Sequence, residues 1–177
     1  KTMSALRLIN QTSFSAVTSA TITDVFTSDF DIYKIVFTDY FQTSGSAGRA
    51  RLRFTSSGSV VMASDYRHAS LAIESPSSSF PEVNSNNATF IDFVLFANGE
   101  TGALSSGVTY VFNPSKLSSY TFAHWQEGHF QSSFGASTEK GVGILENLGV
   151  MDGFNIHSAS GGGFNLTVKT YGLRVDT

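Results

Sequence analysis

Arg49-Ala50-Arg51-Leu52-Arg53-Phe54 is the stretch whose reading decides the fold. Apolar and polar residues alternate at a spacing of two. Successive side chains of a strand point to opposite faces, so Ala50, Leu52 and Phe54 line one face and three arginines the other. The same period recurs along the chain. Asp31 to Tyr40 reads as a long strand with Tyr33, Ile35 and Phe37 toward a core, and with Ile32, Val36 and Tyr40 on the outward face. Tyr66 to Glu74 reads as another, with Ala69, Leu71 and Ile73 sharing a face. No stretch repeats convincingly at helical spacing. The chain is therefore expected to be all-β.

Shorter strands are expected at Met3 to Ile9, Ser13 to Val17 and Ala20 to Phe26, with a polar corner at Asn10-Gln11-Thr12. Thr89 to Ala97 is nearly all apolar and reads as a central strand broken by Asp92. Val108 to Asn113, Ser119 to Gln126, Met151 to Ser158 and Phe164 to Val175 complete the set. The last changes phase: Phe164, Leu166 and Val168 share one face, and Tyr171, Leu173 and Val175 fall one residue out of step. A β-bulge near Lys169-Thr170 would do this. Turn signals separate the strands at Thr27-Ser28-Asp29, Phe41 to Gly48, Ser56 to Ser59, Asn98-Gly99 and Gly161 to Gly163. Phe41 to Gly48 and Gly161 to Gly163 read as hairpin connections. Ser75 to Ala88, with two prolines among serines, reads as the longest surface loop. Glu127 to Leu148 is rich in Gly and Ser and gives the weakest strand signal. About nine strands at this spacing point to an antiparallel β-sandwich, jelly-roll-like, as a single domain over residues 1–177; an open barrel is the alternative.

Composition narrows the function. The 177 residues are 41% hydrophobic and include 16 Phe, so a full core is within reach. Charged residues make up only 14%, well under the usual quarter or so, and the net charge is −3. That excludes the clustered basic surface that nucleic acid requires; Arg49, Arg51 and Arg53 form the one dense basic group. With no cysteine, disulfides and Cys-ligated metal are excluded, and an intracellular or virion-assembled protein is favoured. No apolar run approaches a membrane span, and Lys1 to Asn10 lacks the apolar centre of a signal peptide.

Chemistry-bearing residues are thin. His124, Trp125, Glu127 and His129 form the densest group. On a strand His124 and Glu127 point to opposite faces, and only a turn at Gly128 would bring Glu127 to His129, so no metal site is expected. A lone Trp beside polar groups suits a sugar face; the plainer reading is a core or interface Trp. Tyr66 and His68 share a face opposite Arg67, with no acid–base partner in sight. Asp65, Asp92, Glu100, Glu127 and Asp152 offer carboxylates, but no spacing selects a pair for glycoside cleavage. No Gly-x-Ser-x-Gly elbow occurs, and Gly141-Val142-Gly143 lacks the rest of a dinucleotide fingerprint. No catalytic residue and no cofactor is expected.

Several segments resemble virion proteins of bacteriophages that infect aquatic bacteria. They are Ile9-Asn10-Gln11-Thr12-Ser13-Phe14-Ser15-Ala16-Val17, Val25 to Ile35, Asp152-Gly153-Phe154-Asn155-Ile156, and Gly163 to Arg174 with its ending Tyr171-Gly172-Leu173-Arg174. They lie toward the two ends of the chain. The resemblance implies a C-terminal β-sandwich of a tail or capsid fibre, or a small stand-alone virion protein. It implies a structural or adhesive role rather than an enzymatic one, a homotrimer or another symmetric site, and a place on the virion surface. A start at Lys1 fits a domain cut from a longer fibre.

Two expectations follow from that resemblance. In the first, the protein is a tail-fibre tip: Phe90, Val94 and Phe96 bury a trimer interface, and Tyr66, His68, His124, Trp125 and His129 contact host cell-surface polysaccharide, with avidity from three copies. In the second, it is a capsid decoration or other virion structural protein that docks through the same apolar patches and has no ligand site. A carbohydrate-active enzyme or unrelated lectin domain is the third class. An acidic pair in a groove would mark the enzyme, and an aromatic shelf without one the lectin.

Overall fold

The structure is a computed structural model that describes residues 6–44, 48–75, 79–92, 96–97, 102–132 and 135–173. Its strands are β1 (Leu6–Val17), β2 (Ser19–Ile22), β3 (Ile32–Gln42), β4 (Gly48–Ser56), β5 (Ser59–Val60), β6 (Tyr66–Glu74), β7 (Glu82–Ala88), β8 (Phe96–Ala97), β9 (Ser105–Phe112), β10 (Thr121–Gln131), β11 (Gly135–Leu145), β12 (Gly153–Ser158) and β13 (Phe164–Leu173). They form two antiparallel sheets. The larger runs β1-β13-β3-β9-β10-β11-β6-β7. The smaller runs β2-β12-β4, and β4 carries the short strands β5 and β8 along its far edge. Between those two, Leu52 bridges Ile91. The chain crosses from one sheet to the other after β1, β2, β3, β5, β7, β8, β11 and β12, as in a jelly-roll-like sandwich.

The core lies between the sheets. Ala50, Leu52 and Phe54 of β4 are fully buried, as are Phe154 and Ile156 of β12. Opposite them are Tyr33, Ile35 and Phe37 of β3 and Phe164, Leu166 and Val168 of β13. Aromatic rings meet across the gap: Phe26 lies 4.7 Å from Tyr33 and 5.9 Å from Phe154, centroid to centroid. Asp152 fastens one end. It accepts from Thr55 Oγ1 at 2.5 Å and from the Gly58 amide at 2.6 Å, and its carbonyl accepts from Val25 and Phe26. This carboxylate is therefore structural. Gly153 follows because a Cβ there would sit 2.1 Å from the Ile22 carbonyl oxygen.

The arginine strand, the inward set of β3 and the bounds of β6 agree with the sequence reading. Other expectations need correction. Tyr40 is buried, not outward, because Asp39 takes a φ of 60° and the ladder slips between Phe37 and Tyr40. Asn10 to Thr12 do not form a corner; they pair with Thr170 to Val168 inside one twelve-residue strand, past an irregularity at Ile9. The last strand carries no bulge. Burial alternates without a break through Thr170 and Gly172, and the register slips are taken up by its neighbours β1 and β3. Gly172 faces inward under the Phe30 ring, which a Cβ would approach to 2.5 Å. Glu82–Ala88 is an edge strand rather than part of a loop, held by the ladder to β6. Glu127 to Leu148 contains the end of β10 and all of β11. Thr89 to Ala97 is not one unbroken central strand: Thr89 and Phe90 lie in a bend, and among the described residues of this stretch pairing appears only at Ile91 and at β8. Phe41 to Gly48 and Gly161 to Gly163 join strands of different sheets, so neither is a hairpin loop. Val94, Asn98-Gly99 and Glu100 lie outside the described residues.

Candidate functional site

β6 shows why strand period alone does not locate a site. Its apolar set, Ala69, Leu71 and Ile73, faces outward, while Tyr66, His68, Ser70 and Ala72 face in. The inward face of β10 carries Ala123, Trp125 and Glu127. Three of the five residues proposed to touch glycan are thereby withdrawn from solvent. Tyr66 is fully buried, donates its hydroxyl to the Val61 carbonyl at 3.1 Å and accepts the Phe54 amide at 3.0 Å. Burial pushes that phenol up to about 12. His68 is 6% exposed and stacks 6.3 Å from Phe90. Trp125 is 4% exposed and lies over Gly141, where a Cβ would meet its ring at 2.3 Å.

His129 and Glu127 do meet, without a turn. As residues i and i+2 of β10 they share a face, and His129 Nδ1 lies 3.1 Å from both Glu127 carboxylate oxygens. Glu127 is paired across the ladder with Glu139, and both are buried. Burial raises the pKa of each carboxyl; His129 opposes that at Glu127, and Ser70 and Arg49 oppose it at Glu139. Among the described residues, no group of three or more His, Asp or Glu side chains is placed to hold a metal ion.

Arg51 and Arg53 of β4 converge on Phe90. Arg51 lies 3.9 Å above the ring centroid and Arg53 5.9 Å from it, and His157 meets the ring edge-on at 6.2 Å. Arg53 Nε donates to the Thr89 carbonyl at 2.8 Å. Arg51 Nε is 3.5 Å from Asp92 Oδ1, and Arg49 Nη1 is 3.9 Å from Glu139 Oε2. Phe90 is thus half-buried, packed against side chains of its own chain. Phe96 pairs with Arg49 through its backbone.

His124 alone of the expected glycan contacts is openly exposed, and it belongs to a surface that the sequence did not single out. Cross-strand partners share a face, so the registers define two rows on the outer side of the large sheet. One runs Leu8, Tyr171, Lys34, Tyr110, His124, Val142, Ala69, Asn84. The other runs Gln11, Lys169, Val36, Val108, Gln126, Lys140, Leu71, Glu82. All sixteen side chains are exposed or half-buried. Eight strands at sheet spacing make each row roughly 33 Å long. Over β10, β11, β6 and β7 the rows form a groove of about 650 Å³. A second of about 550 Å³ continues over β3, β9 and β10, and Gln126 lies in both. The rows bring together tyrosine and histidine rings, amides and three lysines against one glutamate.

No family model matches the chain, and no curated protein matches it. Among solved structures it is similar to the CBM2 module of the evolved Dit of Lactobacillus casei BL23 phage J-1, at 11% identity, 90% of this chain, 70% of that one and a TM-score of 0.21. It is also similar to a Bacillus endospore appendage protein described as forming disulfide-linked pili, at 12% identity, 98% and 97% coverage and a TM-score of 0.23. Likenesses this low carry no argument about what the chain does. The architecture rests on the strands themselves: two antiparallel sheets, packed as a sandwich, with a broad grooved face turned to solvent.

Proposed function

We propose that the protein is a non-enzymatic phage virion surface protein, the tip of a tail fibre, and that it binds host cell-surface polysaccharide on the outer face of its eight-stranded sheet. The observation that supports this reading is the pair of cross-strand rows. Aromatic rings at Tyr110, Tyr171 and His124 offer flat faces to sugar rings. Gln11, Gln126, Asn84, Lys34, Lys140 and Lys169 offer donors and acceptors between them. A long, shallow, open groove of mixed apolar and polar lining suits an extended polymer better than a small molecule, which prefers an enclosed pocket. Single contacts of this kind are weak, and presentation as a homotrimer would multiply them. The residues for that role are those of the rows, with His124 retained from the sequence reading and Tyr66, His68 and Trp125 assigned to the interior.

The alternative, capsid decoration, draws on one observation: edge strand β1 exposes Leu6 and Leu8, at 38% and 50%. The two readings separate in one experiment. Labelled protein is added to intact host cells with and without soluble surface polysaccharide. Saturable binding that the polysaccharide abolishes is expected. Folded protein that ignores the cells, yet binds isolated capsids, would overturn the fibre-tip reading in favour of decoration.

A further inference from the structure

The arginine strand holds more unsatisfied polar atoms than a structural ion-pair cluster requires. Arg49 Nη1, Arg51 Nε, His68 Nδ1, His157 Nδ1 and Asp92 Oδ1 are each shielded from solvent without a hydrogen-bond partner. Buried donors and acceptors are nearly always paired, so the five orphan atoms of this cluster call for an explanation. The internal ion pairs do not supply it, since 3.5 Å and 3.9 Å lie at or beyond hydrogen-bond reach. Nor is the cluster sealed: the Arg49 and Arg51 side chains are 32% and 31% exposed.

The geometry is that of a prepared cation pair. Arg49 and Arg51 are two residues apart on one face of β4, about 7 Å along the strand. The Arg51 guanidinium rests over the Phe90 ring, and Thr89 anchors Arg53 by its Nε. A guanidinium so fixed presents its fork with little entropy left to lose. Arg49 faces Glu139 and Arg51 faces Asp92, and burial favours the neutral form of Glu139. The same positive surroundings, after burial itself, hold the His157 ring down at about 4.

We propose that this cluster is an oxyanion-binding site, in which a carboxylate, sulfate or phosphate group of a ligand is held between the Arg49 and Arg51 guanidinium groups beside Phe90. Such forks match oxyanions through charge-assisted bonds. The site lies on the small sheet and does not depend on the polysaccharide reading of the outer face.

The test uses the full chain and three probes at constant ionic strength: inorganic phosphate, sulfate and glucuronate, with glucose as the neutral control. Binding is read from the Arg Nε–Hε resonances and by calorimetry. Saturable shifts confined to Arg49, Arg51, Arg53 and the His157 ring are expected with at least one anion and none with glucose. Glucuronate acting alone points to an acidic sugar; phosphate or sulfate acting alone points to the corresponding ester. Arg51→Gln should weaken binding by about tenfold or more, Arg51→Lys by less, and Lys116→Gln, which removes equal charge elsewhere, not at all. Should Arg51→Gln fail to fold, Arg51→Lys and the resonance map still decide. Shifts no larger than those from chloride, or affinity unchanged in Arg51→Lys and Arg51→Gln alike, would overturn the site.

Discussion

Replacing His157 by Gln should remove a pH dependence that the fold builds into the small sheet. The ring sits across the ladder from Arg51, edge-on to Phe90, and is held at about 4 by burial first, then by Arg53 and Arg51. In the unfolded chain it titrates near 6.5. As pH falls between these values the unfolded state takes up a proton that the native state refuses. The stability His157 contributes is therefore complete above 6.5 and lost as pH falls toward 4. For a fully shielded ring the loss would be roughly 3 kcal/mol; His157 is only partly shielded, and solvent screening reduces it to about 1–2 kcal/mol. The assay is urea unfolding of wild type and His157→Gln at steps from about pH 7.5 to about pH 4. Subtracting the two curves cancels every other titrating group. The wild type should lose about 1–2 kcal/mol more than the variant across that range. Parallel curves would show that the ring is not held neutral by the arginine strand, and the electrostatic account of the cluster would fail.

Three further outcomes follow from the interior. Glu139→Gln should gain stability over wild type as pH rises, because a buried carboxyl with a raised pKa loses its stabilising protonated form as pH passes through the folded value; a pH series of melting curves checks the sign. Gly141→Ala should lower stability by about 1–3 kcal/mol, since its Cβ would meet the Trp125 ring at 2.3 Å and the Ala69 carbonyl at 2.7 Å. Equal unfolding midpoints would refute that packing. The lone Trp should resist acrylamide quenching in the native protein and become fully quenchable on unfolding, as befits 4% exposure; native quenching at the unfolded rate would place Trp125 on the surface.

What was legible in the sequence was the strand period wherever a strand buries one apolar face. Arg49 to Phe54 and Tyr33 to Phe37 show this. The period failed where backbone geometry intervened, as at Asp39, whose positive φ turns Tyr40 inward. It failed again where small or polar residues face the core: Thr170 and Gly172 are inward, with Phe30 filling the space beside Gly172. In β6 the period gave the strand and its two faces but not which of them points inward, which is the set Tyr66, His68, Ser70 and Ala72. The polar strand Glu82–Ala88 had no apolar signal to read. The site shows the same limit. Residue type drew attention to Trp125, Tyr66 and His68, but type does not report which sheet face a side chain takes. The outer rows join Tyr171, Lys34, Tyr110 and His124 from four strands, of which only β9 and β10 are consecutive in the chain, and the register between those strands makes them neighbours.

The outer face of the eight-stranded sheet is the surface proposed to bind polysaccharide. The most direct measurement is calorimetric titration of host surface polysaccharide into wild type and into the double variant Tyr110→Ala/Gln126→Ala, whose changes lie on the two rows and leave the inter-sheet core untouched. Saturable binding by the wild type, with at least tenfold weaker binding by the folded double variant, is the predicted result. Equal affinity in the two proteins, or no binding in either, would contradict it.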